Sequence, residues 1–211
     1  YIMQKVADRC LRYAVAVAGE GDYFKAVGVE MLIEPYMSSD IFYADHYAKG
    51  ILGIFTSDPQ AALNLYARQR NLVKRRKILV EISILDNEAF HSFIVYVLKY
   101  DEEQITRKTF NTLTIAKLLK GLNKSSEKVS ILKEFLLYGY DVNSLYVKAI
   151  DNSVAETTSV KKKLRLVDEA LTIASDLELY DIKFAILIGS INISPLKSFL
   201  KPEKYRGRRG C

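Results

Sequence analysis

The sequence predicts an all-α protein, and the distribution of proline and glycine carries that prediction. No proline lies between Pro59 and Pro195, and the only glycines in that stretch are Gly121, Gly139 and Gly189. Proline is excluded from helix interiors and glycine weakens them, so a stretch this poor in both fits consecutive helices. Alternation of apolar and polar residues between turn residues, which would indicate strands, is hard to find.

Each helix follows from apolar periodicity and from the residues that interrupt it. Gly19–Asp22 ends the first helix, Pro35 ends the second, and Thr56–Pro59 is a start signal with a capping side chain before a proline. A break near residues 101–103 and a bend at Gly139 are expected. We predict an antiparallel array of about eight or nine helices, with ranges near 2–17, 23–33, 45–55, 60–86, 88–119, 127–150, 160–177 and 182–191.

Length and composition allow one domain or two small ones, and we predict a single domain over residues 1–211 inside the cell. The chain is 49% hydrophobic, has a net charge of +6 and contains two cysteines near its opposite ends. Two such cysteines build neither a disulfide framework nor a cysteine metal site, and no apolar run is long enough to cross a membrane. We therefore predict a cytoplasmic location, no membrane association and an acidic partner.

Catalytic, metal and cofactor sites are not predicted. His46 and His91, the only histidines, are far apart and lack carboxylates or cysteines at ligand spacing. Gly19, Gly21 and Gly28 miss the spacing of a dinucleotide-binding loop. The sequence favours a protein that is not an enzyme.

The segment from Tyr66 to Glu81 carries the densest positive charge. On a continuous helix Arg70, Lys74, Lys77 and Glu81 recur at spacings of four, three and four, which places them in one stripe. Apolar residues cover much of the remaining circumference. A cationic stripe beside buried surface suits a phosphate group, although a solvated basic face gives the same pattern.

Four segments together resemble the 14-3-3 family. SILKEFLLYGYDVNSLYVKAI (130–150) is similar to the family's lysine-x-phenylalanine-x-leucine helix with its tyrosine-rich continuation. DEALTIAS (168–175) and INIS (191–194) resemble later family segments, and RNLVKRRK (70–77) resembles the family's basic helix. Their order and spacing match the family over about residues 45–194, with 1–44 loosely matched and 195–211 a basic tail.

The resemblance implies an adaptor that binds phosphoserine or phosphothreonine segments of other proteins in a concave helical groove. By position, Arg70 and Lys77 take the places of two phosphate-binding cations, and Tyr146 takes that of the phosphate-binding tyrosine. Asn192 takes the place of the asparagine that holds the ligand's backbone. The family's dimers imply a homo- or heterodimer here. The family's further two helices have no counterpart after Ser194.

One departure bears on affinity. The family's second phosphate-binding arginine falls on Leu145, which cannot donate to a phosphate. We therefore expect either weakened phosphopeptide binding or compensation by another cation such as Lys74 or Lys148. Two other functions stay open. One is a solenoid-type helical scaffold that binds proteins by shape. The other, less favoured, is nucleic-acid binding through residues 74–77 and 161–163.

Overall fold

A computed structural model describes residues 2–37, 41–100 and 110–190. Within these residues the chain forms eleven α-helices and two short 3-10 helices, and no strand occurs. The all-α prediction is confirmed, with more helices than the eight or nine expected. Residues 101–103, Asn192 and the predicted tail lie outside the described ranges.

The chain divides into two compact units, residues 1–123 and 124–211. The prediction of one domain over 1–211 stays a prediction. Unit 1 contains α1 Ile2–Gly19, α2 Tyr23–Ile33, α3 Ala44–Phe55, α4 Pro59–Arg68, α5 Leu72–Leu85, α6 Asn87–Tyr100 and α7 Thr112–Leu118. Its two 3-10 helices are Glu34–Tyr36 and Leu119–Gly121. Unit 2 contains α8 Ser125–Leu137, α9 Asn143–Glu156, α10 Val160–Asp176 and α11 Tyr180–Ser190.

Helices in each unit pack mainly on neighbours along the chain. In unit 1, α1 packs on α2, α2 on α3, and α3 on both α4 and α5. Helix α4 contacts α6, while α5 contacts α6 and α7. In unit 2, α8 packs on α9, α10 on α11, and α9 on both α10 and α11. Each unit is therefore built from helices that contact their near neighbours along the chain.

Two of the predicted long helices are wrong, because each is two helices. The predicted helix over 60–86 is interrupted at Gln69–Asn71, so Arg70 lies between α4 and α5. The predicted helix over 127–150 reverses at Gly139 instead of bending, and α9 continues to Glu156, beyond the predicted end at residue 150. Over the predicted range 88–119, α6 ends at Tyr100 and α7 begins only at Thr112.

One turn geometry recurs after α1, α8 and α10. After α8, the N–H groups of Tyr138, Gly139 and Tyr140 donate to the carbonyls of Glu134, Leu136 and Phe135. The same pattern of bonds follows α10, with Glu178 in the place of Gly139. Both residues are left-handed, with φ of 77° at Gly139 and 56° at Glu178. These are Schellman-type helix ends, which turn the chain back onto the preceding helix.

In the hairpin of α8 and α9, hydrogen bonds also join the start of α8 to the end of α9. The Ser125 hydroxyl donates to Glu156 Oε1 at 2.6 Å, and the Ser125 N–H donates to Glu156 Oε2 at 3.2 Å. Ser125 is the first residue of α8, whose leading N–H groups have no partner inside the helix. A carboxylate from the end of α9 therefore caps the start of α8.

Candidate protein-binding surface

The junction between α4 and α5 fixes how α5 is oriented. Asn71 begins α5 as its N-cap, and its Oδ1 accepts from the N–H groups of Val73 and Lys74 at 2.9 and 3.2 Å. Gln69 Oε1 accepts from the Asn71 N–H at 3.1 Å. These bonds make residues 69–71 a tight connection instead of a continued helix.

Arg75 locks this junction from inside. Its side chain is 1% exposed, and its guanidinium donates to the carbonyl oxygens of Gln69 and Ala67. Its Cζ lies 5.4 Å from the centroid of the Tyr66 ring, within the distance of a cation–π contact. Arg75, one of the basic residues of segment 66–81, is therefore structural, because it donates hydrogen bonds to the carbonyls at the end of α4.

Lys74 faces into unit 1 and is not on a surface stripe. The residue is 9% exposed, and its Nζ lies 2.6 Å from Glu34 Oε1 and 5.4 Å from the centroid of the Phe42 ring. The predicted stripe of Arg70, Lys74, Lys77 and Glu81 is thus wrong as a continuous surface. Its first member precedes the helix and its second is buried.

A second contact between an acidic and a basic side chain lies in unit 1, and both of its residues are buried. His46 Nδ1 is 2.6 Å from Glu30 Oε1, and the Tyr43 ring stacks on His46 at 4.8 Å between centroids. Burial raises the pKa of the Glu30 carboxyl, and the bond and charge of His46 partly offset that rise. Burial also raises the pKa of Tyr47, with the Glu34 and Glu30 charges adding to the effect.

The surface that α5 does present is mainly apolar. Val73, Lys77, Val80 and Ile84 recur at spacings of four, three and four, so they lie on one face; we call them the α5 outer stripe. Val73 is 58% exposed and Ile84 62%, Lys77 is exposed and Val80 half-buried. The opposite face is buried through Ile78, Leu79 and Ile82. Sequence analysis counted the apolar residues of this segment as buried surface beside the cationic stripe.

Two of the predicted phosphate-binding cations are accessible. Arg70 in the junction and Lys77 on the α5 outer stripe are both exposed. Neither side chain makes a hydrogen bond or ion pair with any residue of the described ranges. Both are therefore available to an anionic group of a partner.

The other predicted positions lie in unit 2. Tyr146 is 1% exposed, and burial raises the pKa of its phenol to about 12. Leu145 is half-buried and Lys148 is exposed, both on α9. Arg70 and Lys77 thus belong to a different unit from Tyr146 and Lys148.

Within the described residues, no group of histidine, cysteine, aspartate or glutamate side chains is arranged to hold a metal ion. None of the described helices combines the length and apolar character needed to cross a bilayer. Comparison with models of protein families, with curated proteins and with solved structures finds no match. The resemblance to 14-3-3 proteins, and the dimer it implies, stay predictions.

Proposed function

We propose that this chain is a non-enzymatic scaffold that binds a partner protein through the α5 outer stripe. The observation that carries the proposal is a helix with one face packed and an opposite face on which exposed Val73 and Ile84 flank Lys77. Apolar side chains aligned at helical spacing are the anchors used in helix-on-groove recognition. Stacked helix pairs present such faces on an extended surface.

The chemistry of the stripe selects the partner. Val73, Val80 and Ile84 would bury apolar side chains, and each large one withdrawn from water contributes about 1.5–3 kcal/mol at most. Lys77, within the stripe, and Arg70, just before α5, favour a carboxylate or phosphate among those apolar residues. The proposed ligand is therefore an amphipathic segment of a protein that carries acidic groups on its apolar face.

The test is fluorescence-anisotropy titration of the full chain with a library of amphipathic peptides, acidic and basic versions side by side. For an acidic peptide that binds, we expect Val73→Asp with Ile84→Asp to weaken affinity at least tenfold, which is about 1.4 kcal/mol. Lys77→Glu should transfer the preference to the basic version. Leu32→Asp is the matched control, because Leu32 is a similarly exposed apolar residue of α2 in the same unit.

Equal losses in the stripe variants and in Leu32→Asp would remove the α5 outer stripe as the binding surface. Circular dichroism of each variant establishes that helix content is unchanged. Equal binding of the acidic and basic peptides would show that Lys77 and Arg70 do not recognise acidic groups of the partner.

A phosphopeptide-binding adaptor of the 14-3-3 type is the second proposal, supported by the accessibility of Arg70 and Lys77. The buried Tyr146 phenol counts against its contribution to such a site. Phosphoserine and phosphothreonine peptides, titrated beside their unphosphorylated forms, test it. We expect Arg70→Glu with Lys77→Glu to abolish the gain from phosphate, while Lys161→Glu with Lys162→Glu, two exposed lysines of unit 2, retains it.

A further inference from the structure

The charges around the α5 outer stripe change sign along the helix. In residues 66–88, the charged residues up to position 77 are all basic and those from position 81 are all acidic. Arg70 and Lys77 are exposed towards the start of α5. Asp86 and Glu88 are exposed where α5 gives way to α6. The surface therefore has a cationic end and an anionic end.

Hydrogen bonds to the backbone hold Asp86 at the anionic end. Its Oδ1 accepts from the N–H groups of Glu88 and Ala89 at 3.0 and 2.9 Å, so Asp86 caps the start of α6. The start of a helix favours negative charge, which suits both carboxylates to this place. Among the described residues, no ion pair joins Asp86 or Glu88 to a basic side chain. Their charges are therefore available to a basic group of a partner.

The separation of the two ends matches a short helix. Helix α5 has 14 residues, and at 1.5 Å per residue it extends for about 21 Å. Arg70 precedes the N-cap of this helix, and Asp86 follows its last residue. A second helix of about four turns, laid along the α5 outer stripe, therefore reaches from the cationic end to the anionic end.

The helix dipole gives such a partner a preferred direction. Acidic side chains stabilise the N-terminal end of a helix and basic side chains stabilise its C-terminal end. A helix stabilised in this way has its acidic end beside Arg70 and Lys77 when it lies parallel to α5. Its basic end then lies beside Asp86 and Glu88. The antiparallel orientation would place like charges together at both ends.

We infer that the partner segment is a helix that lies parallel to α5, with acidic residues at its N-terminal end and basic residues at its C-terminal end. The basic end, paired with Asp86 and Glu88, is the addition to the proposed function, on which this inference rests. The ligand proposed above needs only acidic groups among its apolar residues.

A double-mutant cycle between protein and peptide, measured by fluorescence anisotropy, tests the added pairing. The probe is an amphipathic helical peptide with glutamates in its first turn and lysines in its last, and a second version has glutamines in place of the lysines. Asp86→Asn with Glu88→Gln removes both negative charges and keeps the cap, because asparagine is also a favoured N-cap residue. We expect this variant to weaken binding of the first peptide at least threefold and to leave binding of the second unchanged.

The matched control is Asp8→Asn with Glu20→Gln, which makes the same charge change at two exposed positions of unit 1. It should leave the affinity for the first peptide unchanged. A loss as large as that in Asp86→Asn with Glu88→Gln would show an effect of net charge and overturn the pairing. Equal losses for the two peptides would also overturn it. A gain in affinity for the first peptide in Asp86→Asn with Glu88→Gln would show that this peptide lies antiparallel to α5.

The stripe variant of the proposed function, Val73→Asp with Ile84→Asp, separates the two ideas. Binding that this variant abolishes, but that does not depend on the peptide lysines together with Asp86 and Glu88, would keep the proposed function and overturn the inferred basic end. Binding that this variant leaves unchanged would remove the proposed function itself. Circular dichroism of every variant establishes that helix content is retained.

Discussion

The two units are stabilised differently. Every buried charged side chain of the described residues lies in unit 1: Glu30, His46, Lys74 and Arg75. The buried polar side chains of unit 2 are serines, and its interior is otherwise apolar. Both units have an apolar core. Unit 1 adds buried acidic and basic side chains that contact residues far away in the sequence, whereas unit 2 adds only serines to its buried polar set.

The difference teaches where positive charge in this sequence is functional and where it is structural. Arg75 bonds to carbonyls at the end of α4, and Lys74 pairs with Glu34. A buried charge requires a partner, since its desolvation costs several kcal/mol. The exposed Lys77 and Arg70 side chains make no such contacts within the described residues. The proposed recognition surface includes them for that reason.

The largest expected effect is in the apolar interior of unit 2. Leu132 on α8 is fully buried, and Leu132→Ala removes apolar contacts and leaves a cavity. We expect the free energy of unfolding of unit 2 to fall by about 2–5 kcal/mol. Native-state hydrogen exchange, read separately over residues 2–123 and 124–190, measures it. A larger loss in unit 1 than in unit 2 would contradict the division into units.

In unit 1 the corresponding test is Arg75→Met, which keeps most of the volume but leaves the carbonyls of Ala67 and Gln69 without their donor. We expect unit 1 to lose about 2–4 kcal/mol, since each orphaned buried acceptor costs about 1–3 kcal/mol. Lys77→Met, an exposed position of the same helix, should change stability by less than about 0.5 kcal/mol. Similar losses in both variants would show that Arg75 does not lock the junction.

Substitutions in the two turns of unit 2 should change the free energy of unfolding by less, and in opposite directions. Gly139→Ala places a Cβ in a left-handed conformation and should cost about 1–2 kcal/mol. Glu178→Gly relieves the same strain after α10 and should raise the free energy of unfolding by about 0.5–1 kcal/mol. Thermal denaturation followed by circular dichroism compares them. A loss of stability in both variants would show that Glu178 contributes more through its side chain than its backbone costs.

The smallest expected effect is the pH dependence that Glu30 gives to unit 1, because His46 offsets part of the effect of burial on the Glu30 pKa. A carboxyl whose pKa is raised in the folded state contributes stability below its unfolded pKa and loses that contribution as pH rises through the folded value. The unfolding free energy of unit 1 should therefore decline as pH rises above the usual glutamate range. Glu30→Gln should flatten this decline in urea titrations at several pH values. An unchanged slope would exclude Glu30 as its source.

Local signals in the sequence predicted the helices well where a short motif decides the structure. The start signal at Thr56–Pro59 is confirmed, because Asp58 caps α4 through the Ala61 N–H at 2.9 Å and Pro59 is its first residue. The break at Gln69–Asn71 was missed, since it depends on Arg75 reaching back to two carbonyls. Asn71 is a residue type that favours the start of a helix, so it could have indicated the break. The apolar periodicity on both sides favoured a continuous helix instead.

The candidate surface could be predicted only in part. Sequence analysis found the charged segment and the exposed Lys77, but it placed Lys74 on the surface. The burial of Lys74 depends on Glu34, forty residues earlier in the chain. Tyr146 is different, because it shares helical spacing with Ala149 and Ile150, which also lie on the covered side of α9. A contact between distant residues decides the position of Lys74, and a single sequence does not reveal it.

The packing of helices on their near neighbours also bears on how the chain folds. The principal contacts join helices that are adjacent or next-adjacent in sequence, so forming them closes only short loops and costs little chain entropy. Helical proteins with such local contacts fold in microseconds to milliseconds. Stopped-flow refolding of each unit should therefore end within milliseconds. Insertion of a further helix pair between two existing pairs should leave the folding rate of the neighbouring pairs unchanged.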